Sequence, residues 1–287
     1  MRSRPTRTAA ATVLVAAGLA ACTPLHPSAG GRSDDPSGAP PSRTASTDPA
    51  TPTSTPTPSP SESGQPGQPL HGLVIVVDPG HNGGNSSHLS EIRRTVNAGG
   101  LHKPCNTTGT ETDAGYPEHA FTWDVAKRLA ALLRHDGATV VLTRHGDRGV
   151  GPCVDVRGET AARRHADLLL SVHGDGAAAS AHGFTVLRPG RVAGYTTATY
   201  RRSEVLANDV AAAMVAHGFQ RSTYLGKHGI EIRRDLGTLN RAPVPAVMLE
   251  AGNMRNAGDA RTMSSAKGRQ RVAAALAASV AAFEHRG

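Results

Sequence analysis

Four ionisable residues stand where apolar runs end or a helical pattern begins. His81 follows the run 73–77, in Asp78-Pro79-Gly80-His81-Asn82-Gly83-Gly84. His173 closes the run 168–172, in Leu170-Ser171-Val172-His173-Gly174-Asp175. Glu250 closes 244–249, in Val247-Met248-Leu249-Glu250-Ala251-Gly252-Asn253. Glu118 lies three residues before Phe121 and seven before Val125, so it heads their helical stripe at the first turn. A carboxylate on a buried stripe is costly unless something compensates it. Attraction to the helix N-terminus, worth about 0.3–1 kcal/mol, would compensate it on any face, whereas a metal requires the inward one. Neighbouring His119 points about 100° away around the helix and ranks below Glu118 as a ligand.

Two imidazoles and one carboxylate form a three-ligand zinc set with a fourth position open to water. Zinc lowers the pKa of such a water to ~7 and polarises a carbonyl. A further group must then take the proton and pass it to a leaving amine, and Glu250 fits that role. The expected site is therefore His81, Glu118 and His173 around a single Zn2+, with Glu250 as the catalytic acid–base. Ser171 lacks a nucleophile-elbow context, which argues against a serine hydrolase. His88 and His102, in the long loop after His81, could line the site. His135, His217 and His285 lie near predicted helix C-termini, where a cation is favourable in any case.

The elements that must position these groups alternate along the chain. Runs at 73–77, 138–142, 168–172 and 244–249 read as buried strands, and 183–187 as a shorter one. Helical patterns cover about 117–135, 155–166, 199–217 and 266–285; the second is expected to carry Arg157, Arg163 and Arg164 outward. This alternation implies an α/β fold with a mostly parallel central sheet flanked by helices, in which ligands bind outside the carboxyl ends of the strands.

The chain has 287 residues, and 12 of its 20 prolines fall between positions 23 and 70, a stretch almost free of apolar side chains. Such a stretch cannot offset its ordering entropy and reads as a linker. It would reach roughly 150 Å fully extended or roughly 40 Å as a coil. Residues 71–287 remain for a single catalytic domain. Residues 1–22 read as an export signal: Arg2, Arg4 and Arg7, then an apolar stretch 9–21, then Leu19-Ala20-Ala21-Cys22. Small residues before a cysteine resemble a lipobox, with Cys22 acylated and the protein lipid-anchored to the outer face of the bacterial cytoplasmic membrane, in the cell-wall space. An ordinary signal peptide cut nearby is the alternative. With Cys22 acylated, Cys105 and Cys153 are an even pair in an oxidising compartment, which favours a disulfide. The formal charge of +8 suits an anionic wall polymer better than nucleic acid, for which no motif is present.

At these residues a resemblance is plain. Val-Asp-Pro-Gly-His (77–81), Glu118 opening a helix, Ser-Val-His (171–173) and Leu-Glu-Ala-Gly-Asn-Met-Arg-Asn (249–256) resemble the zinc-dependent N-acetylmuramoyl-L-alanine amidases of the Amidase_3 type. Gly-Tyr-Pro-Glu-His-Ala-Phe-Thr-Trp (115–123) and Gly-Pro-Cys-Val-Asp (151–155) are similar to the mycobacterial-type single-domain members. The resemblance implies a six-stranded sheet and hydrolysis of the amide between the lactyl group of N-acetylmuramic acid and the L-alanine of the peptidoglycan stem peptide. It also implies that His81, Glu118 and His173 bind zinc, that Glu250 is catalytic, and that Cys105–Cys153 pins the long loop. The expectation is a monomer whose partners are peptidoglycan or muropeptides and, through its lipid alone, a membrane. Two other readings remain open at this point: a zinc peptidase cutting within the stem peptide, and a wall-binding lipoprotein with a vestigial site.

Overall fold

Alternation of side chains along β-branched strands sets the layers of this molecule. The computed structural model describes residues 68–286; the signal stretch 1–22 with Cys22, and most of the linker, lie outside them. In chain order the elements are β1 (Val74–Pro79), a 3-10 turn (Gly83–Ser87), α1 (Leu89–Ile92), β2 (Thr95–Asn97), β3 (His102–Pro104), α2 (Glu118–His135), β4 (Thr139–Leu142), α3 (Val154–Arg163), β5 (Leu168–Asp175), β6 (Thr185–Pro189), α4 (Tyr200–Ala216), β7 (Ile230–Arg233), α5 (Gly237–Asn240), β8 (Ala246–Asn253), α6 (Ala257–Ser264) and α7 (Ala266–Glu284). Six strands form one sheet in the order β4-β1-β5-β8-β6-β7, and β2 pairs with β3 in a separate hairpin. The pairs β1–β4, β1–β5 and β5–β8 are parallel. β6 runs antiparallel to β8 and parallel to β7. Among the described residues no helix is long and apolar enough to cross a membrane.

Successive strand residues serve opposite faces. Ile75, Val77, Leu168, Leu170, Val172, Val247 and Leu249 pack in one core with Phe121, Val125 and Leu129 of α2, Leu206, Val210 and Met214 of α4, and Val272, Leu276 and Val280 of α7. Val76, Leu169, Ala246 and Met248 face the other way, with Ala161 of α3 and Leu239 of α5. Ser265 starts α7 by accepting from the Gly268 amide, which satisfies one of the unpaired N–H groups of the first turn. By the same alternation, Asp78, Ser171, His173 and Glu250 project to the α3–α5 face near the carboxyl ends of β1, β5 and β8.

One expectation fails. Arg163 and Arg164 are exposed as the pattern suggests, but Arg157 is buried, with 2% of its surface exposed. It shares a helix face with Ala161, four residues on, and that face meets the sheet. Its guanidinium pairs with the Asp78 carboxylate at 2.7 Å. It also donates to the carbonyls of Pro79, His81, Gly151 and Pro152 at 2.7–3.0 Å. Asp78 accepts in addition from Thr143 and Ser171. The strand read at 183–187 is β6, shifted to Thr185–Pro189 and antiparallel to β8; β7, the β2–β3 hairpin, α5 and α6 lie outside the periodicity reading because they are short.

Burial alone would raise the Asp78 carboxyl, but the Arg157 charge and the two hydroxyl donors outweigh it and hold it below the usual carboxylate range. A depressed folded pKa contributes stability that is present above the unfolded value of about 3.9 and lost as pH falls through the folded one. Replacing Arg157 by Ala should strand a buried carboxylate and cost roughly 3–5 kcal/mol in urea unfolding at pH 7. The unmodified protein should lose stability as pH drops below about 4, and the Asp78→Asn variant should lack that part of the acid slope.

Candidate metal centre

Chain reversal after β1 places the first imidazole. His81 has φ 57°, in the left-handed region that a non-glycine residue occupies only when its surroundings hold it there. Arg157 supplies that hold through the His81 carbonyl. The His81 ring turns its Nδ1 to the Thr107 carbonyl at 3.1 Å, which directs Nε2 to Glu118 Oε1 at 3.1 Å. Pro117, extended at φ −80° and ψ 148°, delivers Glu118 as the first residue of α2. Glu118 is buried. Its Oε2 accepts from the Thr110 amide and its Oε1 from the Gly174 amide, both at 3.0 Å. His173 on β5 brings Nδ1 to 2.9 Å from the same Oε1. The two rings stand edge to face with centroids 4.8 Å apart.

Gly80 is required by this packing: a Cβ there would fall 2.3–2.6 Å from atoms of the His173 ring. One ligand atom from each of His81, Glu118 and His173 lies within 4.8 Å of the others. Two imidazole nitrogens and a carboxylate oxygen at that spacing suit Zn2+. Hydrogen bonds on the far side of His81 and Glu118 fix the orientation such a ligand needs. Burial would raise the Glu118 carboxyl, yet the facing His81, with hydrogen bonds from both rings, holds it far below the usual range.

Glu250 sits directly opposite His173 in the β5–β8 register. With the three clustered residues it lines a cavity of about 400 Å3, along with Lys103, Asp175 and Leu236. Its Oε2 is buried and has no hydrogen-bond partner among the described residues. Burial, then the negative charges of Glu118 and Asp175, push its carboxyl well above the ordinary value against the pull of Arg233. A buried carboxyl pushed upward in this way beside a metal cluster has the character of a proton carrier.

The other candidates fall elsewhere. Neither His88 nor His102 lines this cavity: the His88 ring bonds to the Gly84 carbonyl, and His102 is exposed on β3. His119 turns toward Asp147, away from the cluster. Cys105 and Cys153 form a disulfide, which packs with Val96 in a small cluster of its own. It anchors the loop two residues before Thr107, the residue that orients His81. Asn85 completes this anchorage, donating to the Thr107 carbonyl and accepting from the Gly151 amide, both at 2.8 Å. Sequence reasoning missed Asn85, Thr107, Arg157 and Asp175. Only Asp175, two residues after His173 on the same strand, carried a signal in its spacing.

A model of the N-acetylmuramoyl-L-alanine amidase family Amidase_3 matches residues 75–282. The chain belongs to this amidase family. It is 37% identical over 216 residues to N-acetylmuramoyl-L-alanine amidase Rv3717 of Mycobacterium tuberculosis, covering 75% of this chain and 87% of that protein. It is 25% identical over 244 residues to N-acetylmuramoyl-L-alanine amidase AmiA of Escherichia coli, covering 74% and 76% of the two chains. The crystal structure of the amidase Ami1 from Mycobacterium smegmatis superposes with a TM-score of 0.72 at 36% identity, over 76% of this chain and 99% of that one. The fold of this family member agrees with the expected α/β architecture in strand number and in the mostly parallel sheet.

The disulfide closes a loop with a sequence separation of 48. Its removal by Cys105→Ser with Cys153→Ser should destabilise the protein by roughly 2–4 kcal/mol, measured by urea unfolding under non-reducing conditions.

Proposed function

We propose that this amidase hydrolyses the bond between the lactyl group of N-acetylmuramic acid and the L-alanine of the stem peptide, using zinc held by His81, Glu118 and His173. The observation that carries this reading is the meeting, in one cavity, of two ring nitrogens and a carboxylate oxygen within 4.8 Å with the unpartnered buried oxygen of Glu250. Bound there, the metal would supply a nucleophile at neutral pH and polarise the substrate carbonyl.

The chain's own residues do the rest. The Thr107 carbonyl fixes the His81 ring by accepting from Nδ1, which leaves the Nε2 lone pair facing the Glu118 carboxylate and the metal position between them. The amides of Thr110 and Gly174 fix Glu118. Glu250, kept protonatable by its neighbours, takes the proton of the attacking water and delivers it to the departing L-alanine nitrogen. Because Glu250 is the proton carrier, the leaving amine must lie on its side of the cluster.

In the same proposal residues 1–22 are a lipoprotein signal, residues 23–70 a linker, and residues 71–287 the catalytic domain. The domain acts as a monomer on peptidoglycan from a lipid anchor at Cys22, on the outer face of the cytoplasmic membrane. The net charge of +8 favours its approach to an anionic wall.

Peptidoglycan treated with the zinc-loaded protein should release peptides bearing new L-alanine amino termini, identified by mass spectrometry. Release at an internal stem-peptide bond would overturn the assignment of the scissile amide. Glu250→Gln should retain one zinc by elemental analysis while losing at least about 100-fold in kcat. Wild-type activity should vanish on chelation and return with added zinc. In the native host, labelling with a fatty-acid analogue should be lost in Cys22→Ser; equal labelling of both proteins would remove the anchor from the proposal.

A further inference from the structure

A second cavity, of about 390 Å3, adjoins the metal cavity. The segment Thr108–Thr110 forms a wall common to both. This volume falls in the ~300–1,000 Å3 range of small-molecule sites. Ser86, Glu111 and His119 line it, and Glu250 does not.

His119 is built into this cavity by a rigid support. Its Nδ1 lies 2.9 Å from both carboxylate oxygens of Asp147. Asp147 in turn accepts from Arg144 at 2.9 Å. The Arg144 side chain is only 2% exposed, and it also donates to the carbonyls of His119 and Pro79. Gly83 lets the loop after β1 close on this support, since a Cβ there would fall 2.2 Å from the Asp147 carbonyl oxygen and 3.2 Å from His119 Cε1. The metal cluster makes no use of the arrangement. With Nδ1 held by Asp147, His119 has Nε2 left for a ligand, and the exposed Ser86 and Glu111 line the same cavity.

The two cavities differ in what they can recognise. The metal cavity includes the cation Lys103 and the apolar Val154, Leu236 and Met248, which suits a peptide carrying carboxylates. The second offers a carboxylate acceptor, an imidazole and a hydroxyl, with no Lys or Arg in its lining. That set matches a neutral ring rich in hydroxyl and amide groups. The scissile amide, with both its carbonyl and its leaving nitrogen, belongs in the cavity shared by the cluster and Glu250. Lys103 in that cavity favours the carboxylate-bearing peptide there, which leaves the adjoining cavity, bordered by the same Thr108–Thr110 segment, for the acyl side.

We propose that this second cavity is a saccharide subsite in which Glu111, Ser86 and His119 hold the N-acetylated amino sugar on the acyl side of the scissile amide. The inference rests on the amidase reading above and adds to it the residues that recognise the glycan. Its test compares two soluble substrates with the zinc-loaded protein: N-acetylmuramoyl-L-alanyl-D-isoglutamine, and the corresponding D-lactoyl dipeptide without the sugar. The readout is the ratio of their kcat/KM values, which cancels any general loss of folded or metal-loaded protein. Wild type should favour the sugar-bearing substrate. Glu111→Ala and His119→Gln should each lower the ratio by roughly tenfold, chiefly through KM, as expected for loss of a hydrogen bond from ligand to protein. Glu111 is exposed, so its variant keeps the test valid should His119→Gln disturb the support. A wild-type ratio near one, or ratios unchanged in both variants, would overturn the saccharide subsite while leaving the amidase reading intact. Hydrolysis of neither substrate, nor of peptidoglycan, would overturn that reading and the subsite with it.

Discussion

A single buried guanidinium ties the catalytic end of this molecule together. Arg157 reaches from α3 to Asp78 at the carboxyl end of β1 and to four backbone carbonyls. Three of its partners belong to the segment that carries His81, and two to the loop that leads into Cys153. An arginine suits this position because its planar fork can serve several fixed acceptors at once, which a lysine's point charge cannot. The cost of burying the ion is offset only because every partner is aligned. The strained backbone of His81 persists because this network leaves it no alternative.

From that anchor the candidate metal cluster follows by simple constraints. Side-chain alternation along β5 and β8 sets His173 and Glu250 opposite each other on one face. The start of α2 brings in Glu118, whose two oxygens are then claimed by backbone amides and imidazoles. Glu118 and Glu250 thereby acquire opposite characters. The first is surrounded by donors and stays ionised. The second lacks a donor on Oε2 and lies near two other carboxylates, so its proton is held more tightly. One pocket thus contains two carboxyls pushed in opposite directions, distinguished by environment alone.

Much of this was legible in the sequence. Apolar runs announced β1, β4, β5 and β8, the first of them β-branched, and the stripe Phe121–Val125–Leu129 announced α2, because deep burial leaves an apolar signature. His81, Glu118, His173 and Glu250 stood out by lying at the ends of those elements. Arg157 did not, since an arginine in a charged helix reads as a solvated face until its buried partner is known. Thr107 was silent for a different reason: it acts through its backbone carbonyl, and that has no sequence signature. The strands β6 and β7 were partly hidden because their run of apolar residues is broken by arginine and proline.

The sheet terminates on two four-residue strands, β4 and β7. An open edge presents unpaired amides and carbonyls to any neighbouring chain, and a long apolar one invites adhesion between molecules. β7 reads Ile-Glu-Ile-Arg, and its half-exposed Ile232 is flanked by an acid and a base. A strand from a second molecule laid along it would find a short ladder and would have to desolvate Glu231 and Arg233. That margin of the sheet is thereby a poor template on which a neighbouring molecule could extend it.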